Sequence, residues 1–170
     1  MKKSVAALVA VMIAVPLASL AAHQASSPAS MASSGSTLYV GGDGPGNYTT
    51  IQSAVYDASD GDTIYVYEGL YHEHVTVNVS ITITGESTDV VVDAQGNGSA
   101  FILMAPTVAL RSLHLHRGGG RAADALVSTR FARASISDCL FSQARQGVVN
   151  NDTAHVVIDN CSFSRVAKGI

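Results

Sequence analysis

Apolar residues recur with two periods along this chain. Between positions 49 and 58 the period is helical: Ile51, Ala54, Val55 and Ala58 fall on one face, and Thr49 and Gln52 have the spacing of a capping box. The spacing predicts a short amphipathic helix that stops at Asp60-Gly61-Asp62. From there on the period is two. Short runs at 63–67, 74–77, 80–84, 89–93, 100–104, 107–115, 126–129, 134–141, 148–149 and 155–163 are rich in branched and aromatic residues, and Gly, Asn, Asp or Ser separates them. The connections are too short for the crossover helices that a parallel sheet ordinarily needs. A solenoid removes the conflict, because each strand then pairs with the strand one coil later.

The repeat is visible in the residues. Ile136-Ser137-Asp138-Cys139-Leu140-Phe141-Ser142 aligns with Ile158-Asp159-Asn160-Cys161-Ser162-Phe163-Ser164 at an offset of 22, and Gln146-Gly147-Val148 aligns with Lys168-Gly169-Ile170 at the same offset. One coil earlier, residues 110–115 fit at an offset of 26, and Val108 and Leu110 map back to Ile81 and Ile83 at 27. Ile, Leu, Val, Cys and Phe at alternating positions can fill a narrow interior. The pattern requires another strand after Gly169-Ile170. The solenoid is therefore expected to be incomplete at its C-terminal end, or its last rung to be covered by an oligomer.

Three blocks carry a resemblance. Gly46-Asn47-Tyr48-Thr49-Thr50-Ile51-Gln52-Ser53-Ala54-Val55, then Gly69-Leu70-Tyr71-His72-Glu73-His74-Val75, then Ile81-Thr82-Ile83-Thr84-Gly85-Glu86 resemble, in order and spacing, the opening of the pectinesterase and pectin-lyase-like superfamily. The same opening occurs in exported β-helix repeat proteins, including periplasmic accessory proteins of nitrous oxide reductase maturation. The resemblance is close over 37–93 and survives beyond that as a repeat pattern. It implies an all-β fold, a right-handed parallel β-helix over 37–170 with a short N-terminal cap helix, and it identifies a fold better than a reaction.

The N-terminus changes the compartment in which the rest is read. Lys2 and Lys3, an apolar run over 5–20 and small residues at Ser19-Leu20-Ala21 have the layout of a secretory signal peptide at 1–21, with cleavage expected after Ala21. An uncleaved anchor over 5–22 is the alternative, and Pro16 and the small residues speak against it. Residues 22–36, rich in Ser and Ala, read as a flexible spacer. The protein is thus expected to be secreted, extracellular or in the cell envelope, and periplasmic in a double-membrane host. Without Lys2 and Lys3 the net charge of −3 becomes −5. Its distribution is uneven: between Ser4 and Leu110 there are nine carboxylates and no Lys or Arg, whereas Arg111 onward holds eight basic and four acidic residues.

Export also bears on the cysteines and sequons. Cys139 and Cys161 occupy equivalent places in successive coils about 4.8 Å apart, which leaves two readings open: a disulfide, or a ladder of two buried thiols. Sequons begin at Asn47, Asn78, Asn97, Asn151 and Asn160, each expected at a turn or facing out, where glycosylation is sterically feasible.

The chemistry that the side chains offer is sparse. His114 and His116 share a strand face, as do His72 and His74, but the coils above add only Leu140 and Ser162, and Ser142 and Ser164, so surface histidines are favoured over a metal site. The resemblance implies, for a pectinesterase, two outward aspartates near Gln146 and Lys168; neither residue can supply carboxylate nucleophile chemistry. A lyase would want a carboxylate cluster, and Asp138 and Asp159 are displaced by one residue and point apart. Arg117, Arg121, Arg130 and Arg133 could form a basic rim for an acidic glycan around Gly118-Gly119-Gly120.

The sequence thus predicts a non-catalytic exported module that binds glycans, acidic polysaccharide among them, or envelope proteins. It predicts no cofactor, metal or nucleic-acid partner and no membrane span after signal cleavage. The alternatives are a fragment of a carbohydrate-active enzyme, a pectinesterase or polysaccharide lyase with its catalytic residues beyond Ile170, and a periplasmic metal-handling accessory protein.

Overall fold

A computed structural model of the chain describes residues 35–119, 125–130, 132–151 and 155–170. The expected signal peptide and residues 22–34 of the expected spacer lie outside the described residues. Ser36, the last spacer residue, is already fastened to the coil: its N–H donates to Asp62 at 2.7 Å and its carbonyl accepts from the Thr63 N–H at 2.8 Å. No helix among the described residues is long and apolar enough to cross a membrane.

Strand β1 (Thr37–Val40) and helix α1 (Ile51–Asp57) precede four rungs of three strands each. The first rung is β2 (Thr63–Val66), β3 (Gly69–Tyr71) and β4 (Val75–Val77); the second is β5 (Thr82–Gly85), β6 (Val90–Asp93) and β7 (Phe101–Leu103). The third is β8 (Thr107–Arg111), β9 (His114–His116) and β10 (Val127–Arg130), and the fourth is β11 (Arg133–Ser137), β12 (Leu140–Gln146) and β13 (Val148–Asn151). Strands β14 (His155–Asp159) and β15 (Ser162–Lys168) begin a fifth. All pairing is parallel, in three sheets ordered β1-β2-β5-β8-β11-β14, β3-β6-β9-β12-β15 and β4-β7-β10-β13. This is a parallel β-helix, and the registers read from the repeat hold: Ile136 faces Ile158, Leu110 faces Ile136 and Ile83 faces Leu110.

The core is a set of stacked columns. Leu38, Ile64, Ile83, Leu110, Ile136 and Ile158 form one, and Tyr71, Val92, Leu115, Phe141 and Phe163 form another, ending in rings stacked at 4.7 Å. Most of these side chains are fully buried, and each buried Leu, Ile or Phe contributes roughly 1.5–3 kcal/mol.

Three of the expected long strands, over 107–115, 134–141 and 155–163, are each two strands. Ser112, Asp138 and Asn160 have φ of 52°, 56° and 48° and turn the chain from the first sheet to the second. Asn and Asp tolerate this left-handed region better than most residues, and here they stack, with the Asn160 amide donating to Asp138 at 2.6 Å. Strands β1 and β3 have no counterpart among the runs read from the sequence.

The cap helix corrects the expected box. Its N-cap is Thr50 rather than Thr49, and the Thr50 hydroxyl accepts from the Ser53 N–H at 3.2 Å. The carboxylate of Glu73, from the first rung, accepts from the Ile51 and Gln52 N–H groups at 2.9 and 3.0 Å. Gln52 therefore serves elsewhere. Its side-chain amide accepts from the Thr76 N–H at 2.7 Å and donates to the Thr76 carbonyl at 3.3 Å, as a neighbouring strand would. The first strand of the third sheet is in this way closed by one side chain.

Candidate functional site

Two outer faces carry chemistry. On the second sheet, Asp93, His116, Ser142 and Ser164 form one column, and His72, directly after β3, reaches Asp93. The Asp93 carboxylate is buried. It accepts from Arg117 Nε at 2.9 and 3.1 Å, from Arg117 Nη2, and from the Gln95 N–H at 2.8 Å, and its Oδ2 is 3.4 Å from His72 Nδ1. The Arg117 guanidinium holds this carboxyl below the usual carboxylate range, against the opposing effect of burial.

Beside it, the Ser142 hydroxyl lies 2.6 Å from His114 Nε2 and 2.8 Å from His116 Nδ1. The hydroxyl has one proton to donate, so at least one of the two rings donates its N–H to Ser142. Burial and the neighbouring His116 push the His114 pKa down. Among the described residues, no three metal-ligating side chains are grouped as a metal ion would require. The arrangement is a hydrogen-bonded polar ladder, with its carboxylate committed to Arg117.

The expected site residues are spread around the coil. Arg117 lies where the second sheet turns toward the third and is held by Asp93; Arg130 ends β10 and Arg133 begins β11, at the other end of the third sheet. These three do not gather into one rim, and Arg121 lies outside the described residues. Cys139 and Cys161 stack in one column, both as free thiols. Burial pushes the Cys139 thiol up to about 12 and raises that of Cys161 as well. Asn78, Asn97 and Asn160 are exposed; Asn47 is half-buried and donates to the Gly41 carbonyl at 2.6 Å. The side chain of Asn151 lies outside the described residues. His72 and His74 part company, since His74 bonds through Nδ1 to the Ser99 carbonyl at 2.8 Å. Gln146 and Lys168 pair across β12 and β15, so the column where the resemblance would set two aspartates holds an amide and an ammonium.

The second face was not read from the sequence. On the outside of the first sheet, Tyr39 pairs with Tyr65, and Tyr67 follows directly after β2. The ring centroids of Tyr39 and Tyr65 are 6.0 Å apart, those of Tyr39 and Tyr67 6.2 Å at 27°, and those of Tyr65 and Tyr67 5.2 Å edge-on. Tyr39 is 43% exposed and the other two are half-buried. Gly42, at φ 64°, lies under Tyr67, where a Cβ would come within 2.9 Å of the ring. Alongside the rings runs a hydroxyl ladder of Thr37, Thr63 and Thr82. Beyond Thr82, Gly61, Ser80, Ile81, Thr107 and Ala109 complete the lining of a shallow depression of about 220 Å³. The signal available was the repeated Thr-x-Tyr of Thr37-Leu38-Tyr39 and Thr63-Ile64-Tyr65, which becomes a column only once β1 is set beside β2.

Fold and faces together define a right-handed parallel β-helix with an aromatic patch near its N-terminal end. The crystal structure of the pectin methylesterase from Aspergillus niger, in a penultimately deglycosylated form, has the same fold: the TM-score is 0.50 at 17% identity, over 75% of this chain and 56% of that one. The chain therefore spans little more than half the length of that protein. No family model matches the sequence, and no curated protein matches it.

Proposed function

We propose that the chain is an exported, non-catalytic β-helix module that binds glycan chains, with Tyr39, Tyr65 and Tyr67 as the surface on which a sugar ring stacks. The observation that carries this reading is the three-ring patch itself. A tyrosine ring offers an apolar face to the C–H side of a pyranose and a hydroxyl to its rim. The threonine ladder adds hydroxyl groups at strand spacing, and a rigid sheet loses little freedom on binding. Exposed aromatic patches on a monomer commonly mark interaction sites. Export rests on the 1–21 pattern. The non-catalytic part rests on Gln146 and Lys168 standing where carboxylates would be needed and on the Asp93 carboxylate being held by Arg117.

Isothermal titration of the protein with neutral, acidic and amine-bearing oligosaccharides tests this reading. At least one should bind, and the Tyr39→Ala/Tyr65→Ala double variant should lose about tenfold or more in affinity with its circular dichroism unchanged. Failure of every saccharide to bind, or full binding by the double variant, overturns it.

A further inference from the structure

We propose that the tyrosine patch selects saccharides bearing a free ammonium group, a 2-amino-2-deoxyhexose chain rather than a uronic acid chain. The inference rests on the glycan-binding reading above and fixes the ligand's charge. Glu86 follows β5 directly and stands beside Tyr67 across the ladder, its N–H donating to the Val66 carbonyl at 2.8 Å. Glu68 is next to Tyr67 in the chain. The two carboxylates are joined through the main chain, with the Glu68 N–H donating to Glu86 Oε2 at 3.1 Å, and Ser87 Oγ donates to Glu68 Oε1 at 3.0 Å. Both glutamates are exposed. The rings and the carboxylates thus occupy one small area of the surface.

Three tyrosine faces meeting at angles of 27°, 58° and 76° suit an ammonium, which is drawn to the negative face of an aromatic ring. The two adjacent carboxylates complement the same charge. Burial raises the Tyr65 pKa, and the neighbouring groups Glu86, Tyr67, Tyr39 and Glu68 push it the same way. Arg111 stands two strands beyond Tyr65 in the same column, roughly 10 Å away. It is the first arginine of the chain after nine carboxylates with no Lys or Arg among them. An acidic chain would meet Glu68 and Glu86 on this patch, with Arg111 two strands further along the column.

The experiment compares a glucosamine oligomer, its N-acetylated counterpart and an oligogalacturonate of equal length at pH 6, in low and in high salt. Each is titrated against the wild type, the Glu68→Gln/Glu86→Gln double variant and Tyr39→Ala/Tyr65→Ala. The glucosamine oligomer should bind about tenfold more tightly than the N-acetylated one, since a partly desolvated ammonium–π contact amounts to a factor of that size. Salt and the loss of the two carboxylates should shrink the preference, and the tyrosine variant should lose about tenfold or more in affinity. Equal binding of all three oligomers, still dependent on the tyrosines, overturns the charge inference and leaves the glycan reading standing. Preference for the uronate does the same. Tetramethylammonium binding as tightly as the glucosamine oligomer overturns the commitment to a saccharide. No binding by any oligomer removes both the inference and the reading beneath it.

Discussion

Replacing Gln52 by Glu separates two accounts of the N-terminal end of the coil. In a capping box, glutamate serves as well as glutamine, and a negative charge in the first turn of a helix is favourable by about 0.3–1 kcal/mol. In the structure, Gln52 both accepts from the Thr76 N–H at 2.7 Å and donates to the Thr76 carbonyl at 3.3 Å. A carboxylate keeps the first bond and loses the second. It also sets a charged oxygen against the Thr76 carbonyl, with the Glu73 carboxylate nearby on the Ile51 and Gln52 N–H groups.

One lost hydrogen bond with its carbonyl left unpaired costs about 1–2 kcal/mol, and the repulsion adds to it, so Gln52→Glu should destabilise by about 2 kcal/mol at neutral pH. The pH dependence gives a second check. The new carboxyl is disfavoured as an anion in the fold, so its folded pKa lies above its unfolded value near about 4.3. Its penalty is full above the raised folded pKa and fades as pH falls toward the unfolded one, because the protonated acid can donate to Thr76 as the amide did. Urea unfolding followed by tyrosine fluorescence, which is clean because the chain has no tryptophan, measures the difference. Hydrogen exchange at the Thr76 amide reports it locally. An unchanged or raised stability at pH 7, or a gap that persists below pH 4, would refute the strand-closing role.

Three further outcomes follow from the packing and the titrating groups. Phe141 is fully buried and stacked on Phe163, so Phe141→Ala should cost about 3–5 kcal/mol in urea unfolding; a loss under about 1 kcal/mol would show that the column does not exist. Asp93 has a depressed folded pKa, so its contribution to stability is present at neutral pH and is lost as pH falls through that pKa below about 4. Arg117→Met removes the partner and leaves the burial. The stability gap between variant and wild type should therefore be largest at neutral pH and narrow in acid, and a gap independent of pH counts against the pair. Iodoacetamide at pH 8 should label Cys161 ahead of the more buried Cys139, and both after unfolding without reductant; two unlabelled cysteines in the unfolded chain would mean a disulfide.

The coil was legible because its interior repeats. Ile136 and Ile158, or Phe141 and Phe163, are the same positions one turn apart, and the register follows from counting. The corners were harder to see, since Asp138 and Asn160 interrupt strands without a glycine. The trace they leave is the apolar spacing: Ile136, Cys139 and Phe141 run three apart and then two, as do Ile158, Cys161 and Phe163, and no straight strand buries that set on one face. The upper part of the histidine column was read from the repeat, but the N-terminal ends of the outer columns depend on pairings with no repeat behind them. His72 reaches Asp93 only because β3 is a strand, and Tyr39 meets Tyr65 only because β1 docks ahead of the first rung. Arginines close in sequence, such as Arg117 and Arg130, part because Arg117 follows β9 of the second sheet and Arg130 ends β10 of the third.

The tyrosines themselves report most directly on the glycan-binding claim. In an aromatic NMR titration with a glucosamine oligomer, the account predicts shifts concentrated at Tyr39, Tyr65 and Tyr67. Tyr56, the most exposed large hydrophobic residue after Ile170 among the described residues and carried on α1 rather than on the strands of the patch, should stay unmoved. Shifts spread evenly over Tyr56 and the patch, or no shift at saturating oligomer, would contradict it.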